Sequence, residues 1–186
     1  MAAMRGVFAR VSVAELQQWP DDGRRYELSD GEVSVVPVPV PRHQRVVLHI
    51  QDVLGEYERT AGGLMLPAPI DIVLSEYDVV QPDIVFVQKD RQHLVDLMQA
   101  PRVAPDLVVE VLSRSTEARD RHAKSDLFAR FGVPEYWIAD PMANSVEVYA
   151  NAAGRYALAG VYREGDTLRS RALPGLVVDV RRLFTR

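Results

Sequence analysis

Leu107-Val-Val-Glu-Val-Leu112 decides the fold class. Odd and even positions are both apolar, which predicts a strand covered on its two faces rather than one lying on a solvated sheet. A strand of that kind needs a packed layer on each side. A second run of the same character, Asp83-Ile-Val-Phe-Val87, begins just after Pro82. Downstream, Tyr136–Ala139 and Ser145–Tyr149 predict strands on either side of an Asp140-Pro141 turn. Upstream, Leu64–Leu66 and Ile70–Leu74 read as strands.

Helices fill the spaces between these runs. Arg42–Arg59 carries Val46, Val47, Ile50, Val53, Leu54 and Tyr57 at helical spacing, and Gly62-Gly63 ends it. Thr116–Phe131 predicts a second long helix, stopped by Gly132 and Pro134. Ser12 with Glu15 three residues on forms a capping box for a short helix reaching about Trp19. Tyr26–Leu28 and Glu32–Val36 flank Asp30-Gly31 and read as a hairpin. Pro37-Val-Pro-Val-Pro41 is an extended connection, because alternating prolines cannot sit in a central strand. Arg155–Tyr162, Thr167–Arg169 and Leu176–Val178 read as peripheral strands. The pattern predicts an α/β (α+β) fold: a mixed central sheet flanked by helices, one domain over residues 1–186.

Composition narrows the function classes. The chain has 186 residues, 47% hydrophobic and 26% charged, which suits a folded protein with a substantial core. Cysteine is absent, which removes disulfides, thiolate nucleophiles and Cys-based zinc sites. The net charge is −4, so any nucleic-acid contact must rest on local positive charge. Met1–Arg10 has no apolar run resembling a signal peptide, and no stretch is long enough for a membrane span. The expectation is a cytoplasmic protein without membrane contact.

Three residues stand out chemically. Glu110 lies inside the most apolar strand, where an ionised carboxylate is costly without a positive partner. Asp83 opens the neighbouring apolar run. Two carboxylates on adjacent strands can converge on one cation, and hard oxygen ligands favour Mg²⁺ or Mn²⁺ over zinc. Lys124 is one of only two lysines, with Lys89. It precedes Leu127, Phe128 and Phe131 by three, four and seven residues, which puts a charge on the apolar stripe of its helix. Asp120 lies one turn earlier on the same side. A carboxylate-held divalent ion beside a lysine suits phosphodiester hydrolysis.

The ordered motifs Gln81-Pro-Asp-Ile-Val-Phe-Val87, Ala104-Pro-Asp-Leu-Val-Val-Glu-Val-Leu-Ser113, Ser115-Thr116, Asp120, Lys124 and Gly132-Val-Pro-Glu-Tyr-Trp137 with Asp140-Pro141 resemble the bacterial family of putative restriction endonucleases. That family belongs to the PD-(D/E)xK nuclease superfamily. Arg25-Tyr-Glu-Leu28, Asp30-Gly31-Glu32 and His43-Gln44 also match, and the resemblance covers about residues 11–184. It implies a restriction-endonuclease-like core and a Mg²⁺-dependent endonuclease acting on nucleic acid, DNA before RNA. It implies Asp83 and Glu110 as metal ligands, Glu27 as a further acidic ligand, and Lys124 as the catalytic lysine. The superfamily's usual lysine position, two residues after the Glu, is Leu112 here, so the lysine comes from the next helix. A homodimer is a further expectation by resemblance.

Plainer readings compete. Glu110 and Lys124 can form a metal-free buried ion pair, and Asp120 with Lys124 an ordinary i,i+4 pair. Asp83 can be a turn residue after proline, and Glu27 an ordinary strand residue beside the hairpin turn. His43, near a helix start, reads as a cap-region hydrogen-bonder, and His49, His93 and His122 are too scattered for a metal site. Tyr136 and Trp137 read as core. Arg114, Arg119, Arg121 and Arg130 cluster around the Lys124 helix, but Glu117, Asp120 and Asp126 interleave with them. A binding or scaffold module that keeps the nuclease fold is the competing functional reading.

Overall fold

A computed structural model of the chain describes residues 10–113 and 116–185. Arg114 and Ser115, singled out above, and nearly all of the N-terminal stretch Met1–Arg10 lie outside them. The elements run in chain order as α1 (Val13–Leu16), β1 (Tyr26–Ser29), β2 (Glu32–Val35), α2 (Pro41–Ala61), β3 (Leu64–Pro67), β4 (Ile72–Ser75), β5 (Asp78–Val80), β6 (Ile84–Val87) and β7 (Leu107–Val111). A continuous helical run, α3, then joins Glu117–Arg119, a π-helical Asp120–Lys124 and Ser125–Arg130. The chain continues through β8 (Glu135–Asp140), β9 (Ser145–Ala152), β10 (Arg155–Arg163), β11 (Thr167–Arg169), β12 (Val177–Asp179) and α4 (Arg181–Phe184).

The central sheet has six strands in the order β10-β9-β8-β7-β6-β3. It is mixed: β7 and β8 are parallel, with α3 as their crossover, and the other pairs are antiparallel. Both faces of β7 are buried, as its double apolar parity requires. One face, carrying Phe86, Val109, Val111 and Trp137, packs on Val46, Ile50 and Leu54 of α2. The other, carrying Val85, Val108, Tyr136 and Ile138, packs on Leu127 and Phe128 of α3. The mixed sheet flanked by helices is the architecture expected from the alternation of strands and helices. Tyr136 and Trp137 are fully buried core residues.

The central sheet does not hold all of the strands. The hairpin β1–β2 pairs with β5 through Leu28↔Val79, and a second sheet β2-β1-β5-β4 forms. β5 is three residues long and begins with an acid, too short to show a period. β11 and β12 form a separate ribbon. The strand expected at Ile70–Leu74 starts at Ile72 and belongs to the second sheet. α1 has the expected capping box but stops at Leu16, three residues short, because Pro20 disfavours helical geometry before it. α2 begins one residue earlier than the spacing suggested, since proline is well suited to the first helical turn. It ends at Gly62 with φ +80°. At Gly63, φ +105°, a Cβ would stand 2.5 Å from the Phe86 ring, so glycine lets β3 turn back tightly over β6.

Candidate active site

Register brings Asp83 and Glu110 together. Ile84 pairs with Val109 across β6 and β7, and both face α2. Side chains alternate along a strand, so the neighbouring Asp83 and Glu110 both take the α3 side. Asp83 sits at the entrance of β6 rather than within it. Its Oδ2 accepts the Val111 backbone N–H at 2.8 Å and lies 3.1 Å from His43 Nε2. His43 is therefore no cap residue. It is 7% exposed and reaches across from the start of α2 to a carboxylate 40 residues away.

Lys124 is 4% exposed, despite its charge. Its Nζ donates to Glu110 Oε1 at 2.6 Å and lies 2.9 Å from Glu27 Oε1 and 3.9 Å from Asp120 Oδ1. The π-helical turn carries both Asp120 and Lys124 into the interior. Glu27 comes from the second sheet, on the face of β1 opposite Leu28, and stands behind the cleft rather than on its wall. Both its oxygens are taken: Oε1 by Lys124 and by the Gln81 backbone N–H at 2.7 Å, Oε2 by Arg119 Nη1 at 3.0 Å. Arg119 also donates to Ser34 Oγ, the residue paired with Glu27 across the hairpin. Asp83, Glu110, Asp120, Lys124, Arg119 and His43 all line one cleft of about 120 Å³. The Pro-rich connection forms part of its rim.

The charges do not balance. Four carboxylates, Glu27, Asp83, Glu110 and Asp120, face two permanent cations, Lys124 and Arg119. Burial pushes the Glu110 carboxyl well above its ordinary range; Lys124 opposes the rise, while Asp120, Asp83 and Glu27 add to it. Burial also lifts Asp120, with Lys124, Thr116 and Arg119 pulling back. Burial alone would lower the Lys124 ammonium, but Glu110, Glu27 and Asp120 outweigh it and the net shift is upward. Lys124 is therefore charged at any physiological pH.

Among the described residues no three His, Asp or Glu side chains form a ready-made cation cage. The donor chemistry still fits a hard divalent ion. Mg²⁺ commonly uses one or two carboxylates, completing its shell with water and substrate phosphate. The negative excess has the sign such an ion would neutralise, and Asp120 Oδ1 is buried with no hydrogen-bond partner among the described residues.

The Uma2 family model, described as "Putative restriction endonuclease", matches residues 13–181. The chain belongs to this family. A solved structure of similar fold is a putative nuclease of the DUF820 group from Anabaena variabilis, with a TM-score of 0.77 at 16% identity. The match covers 94% of this chain and 97% of that one. No curated protein sequence matches the chain. The membership places the chain in a family described as putative nucleases.

The basic cluster on the Lys124 helix is largely spent on acids of the protein itself. Arg119 holds Glu27, Arg121 bridges Glu117 and Glu147, and Arg130 reaches Asp78. Two contributors were not singled out from sequence as site residues. His43 precedes Val46, Val47 and Ile50 by three, four and seven residues, the same polar intrusion on an apolar stripe that marks Lys124. Arg119 carries no such signal. No helix among the described residues is long and apolar enough to cross a membrane.

Proposed function

We propose that the protein is a nuclease that hydrolyses phosphodiester bonds in nucleic acid, DNA before RNA, with Mg²⁺ or Mn²⁺ held by Asp83 and Glu110. The observation that carries this reading is the convergence of both carboxylates on one cleft beside a buried, charged lysine. When bound, the ion would activate a water and offset charge on the phosphate. The chain's own residues do the rest. The Val111 N–H and His43 hold the Asp83 carboxylate in place. Lys124 is too strongly protonated to serve as a base, so its role is to orient water and offset charge developing on the phosphate. Glu27 tethers Lys124 and Arg119 at fixed positions instead of serving as a ligand, because both its oxygens are engaged. Arg119, partly exposed at the cleft, would meet a phosphate oxygen. One domain spanning the chain, a cytoplasmic setting and two copies acting on two strands are part of the same proposal.

The test is cleavage of DNA and RNA substrates in Mn²⁺ by wild type, Asp83→Asn and Glu110→Gln. The expected result is a loss of about 10²-fold or more in both variants, the scale of removing one preorganised charge-stabilising group. Equal rates in all three proteins reject the assignment. A scaffold role draws on the closed Lys124–Glu110 pair, and sustained metal-dependent turnover by wild type removes it.

A further inference from the structure

Asp120 poses a problem that the proposed function does not answer. It is 1% exposed, and its Oδ1 has no donor among the described residues, although an unpaired buried carboxylate oxygen is costly. The nearest cation among the described residues, Lys124 Nζ, stands 3.9 Å away, about 0.7 Å beyond hydrogen-bond range. That ammonium instead sits against Glu110 Oε1 at 2.6 Å, on the carboxylate that a divalent ion would use. Both residues lie on one π-helical turn, a local geometry frequent at functional sites. Lys124 also holds Glu27 Oε1, which the Gln81 N–H fixes in place. A small swing about Glu27 would exchange Glu110 for Asp120.

We infer that Lys124 is a built-in cation standing in the metal's place against Glu110, and that Asp120 is the positioning residue that receives it when a divalent ion enters. This rests on the metal-dependent reading above. A dication arriving at Glu110 would otherwise meet an ammonium at close range, a strong repulsion in a buried site. Arg119 cannot take the same part, because Glu27 and Ser34 hold its guanidinium. The inference explains why a site rich in carboxylates has no ready-made cation cage among the described residues: its cation place is filled from within.

The experiment measures Mn²⁺ binding calorimetrically on the full chain for wild type, Lys124→Gln, Asp120→Asn and the double variant. Melting in chelator checks that each is folded. Removing the competing charge should tighten Mn²⁺ binding in Lys124→Gln by roughly tenfold, within the usual range of coupling between two sites. Asp120→Asn should weaken binding by a similar factor in the wild-type background and have no effect once Lys124 is gone. Unchanged or weaker binding in Lys124→Gln overturns the inference. So does an equal loss from Asp120→Asn in both backgrounds, which would make Asp120 a direct ligand. A second readout needs no substitution at Lys124. With two lysines in the chain, ¹³C-labelled lysine yields two Cε signals, and Mg²⁺ should move one of them. Two unmoved signals under saturating Mg²⁺ also overturn it. If folded wild type and Lys124→Gln both fail to bind Mn²⁺, the metal-dependent reading itself falls. Binding without coupling to Lys124 refutes only the exchange.

Discussion

Replacing Glu27 separates a tether from a metal ligand. The side chain is buried, accepts the Gln81 N–H at 2.7 Å and forms ion pairs with Lys124 at 2.9 Å and Arg119 at 3.0 Å. Glu27→Ala leaves Arg119 without its carboxylate and Lys124 with Glu110 as its close partner. Breaking a buried pair from one side costs about 3–5 kcal/mol. The lost backbone acceptor is part of that same unit and is not added separately. For a chain of this size each kcal/mol moves the midpoint by roughly 2–4 °C, so Tm should fall by roughly 6–20 °C. Glu27→Gln keeps one carbonyl oxygen for Lys124 and Gln81 and fails only toward Arg119, so its loss should be the smaller. The assay is thermal and urea unfolding in chelator, repeated with millimolar Mn²⁺. The Mn²⁺-dependent rise in Tm should survive in Glu27→Gln, because Glu27 stands behind the cleft. If apo stability is unchanged within about 1 kcal/mol and the Mn²⁺ rise vanishes, Glu27 is a ligand and the tether reasoning is wrong.

Other outcomes follow from the same geometry. Wild type at a Mn²⁺ concentration about 100 times its dissociation constant should gain about 2.7 kcal/mol, and Asp83→Asn and Glu110→Gln, each against its own chelator baseline, should not. Burial holds the Asp120 proton more tightly in the folded than in the unfolded chain, so its charged form is a penalty at neutral pH that fades as pH falls into the ordinary carboxyl range. Asp120→Asn should therefore melt above wild type at pH 8, by roughly 2–4 °C per kcal/mol relieved, with the gap closing toward pH 4; a gap that widens on acidification would refute the burial term. Burial and the bond to Glu147 push the Tyr149 hydroxyl up to about 12. Ultraviolet titration of Glu147→Gln should show one tyrosine ionising earlier than in wild type, and superimposable curves would count against that bond.

Much of the site was visible in the chain before folding. Double apolar parity around Glu110 required a central strand, and a carboxylate there required a partner. Helical spacing placed Lys124 on the buried stripe of the next helix, and burial at 4% agrees. These are properties of local periodicity, which a sequence carries directly. The π-helical turn escaped because a single extra residue in a helix barely changes the apolar period.

The remaining relations depend on register and on how separate elements meet. That Asp83 faces the α3 side with Glu110 follows from Ile84 pairing with Val109, which no residue spacing encodes. Glu27 reaches Lys124 because the hairpin joins a second sheet through the three-residue β5 and turns one face toward α3. Sequence alone determined which residues were out of place: Glu110 in an apolar strand and Lys124 on an apolar stripe, each too costly to bury without a reason. Tertiary structure alone decided what answers them, pairing Lys124 with two carboxylates, leaving Asp120 Oδ1 without a donor among the described residues and tying Arg119 to Glu27. Desolvation cost is a property of a residue in its own segment. Its compensation is a contact between segments tens of residues apart, and only the packed chain sets those distances.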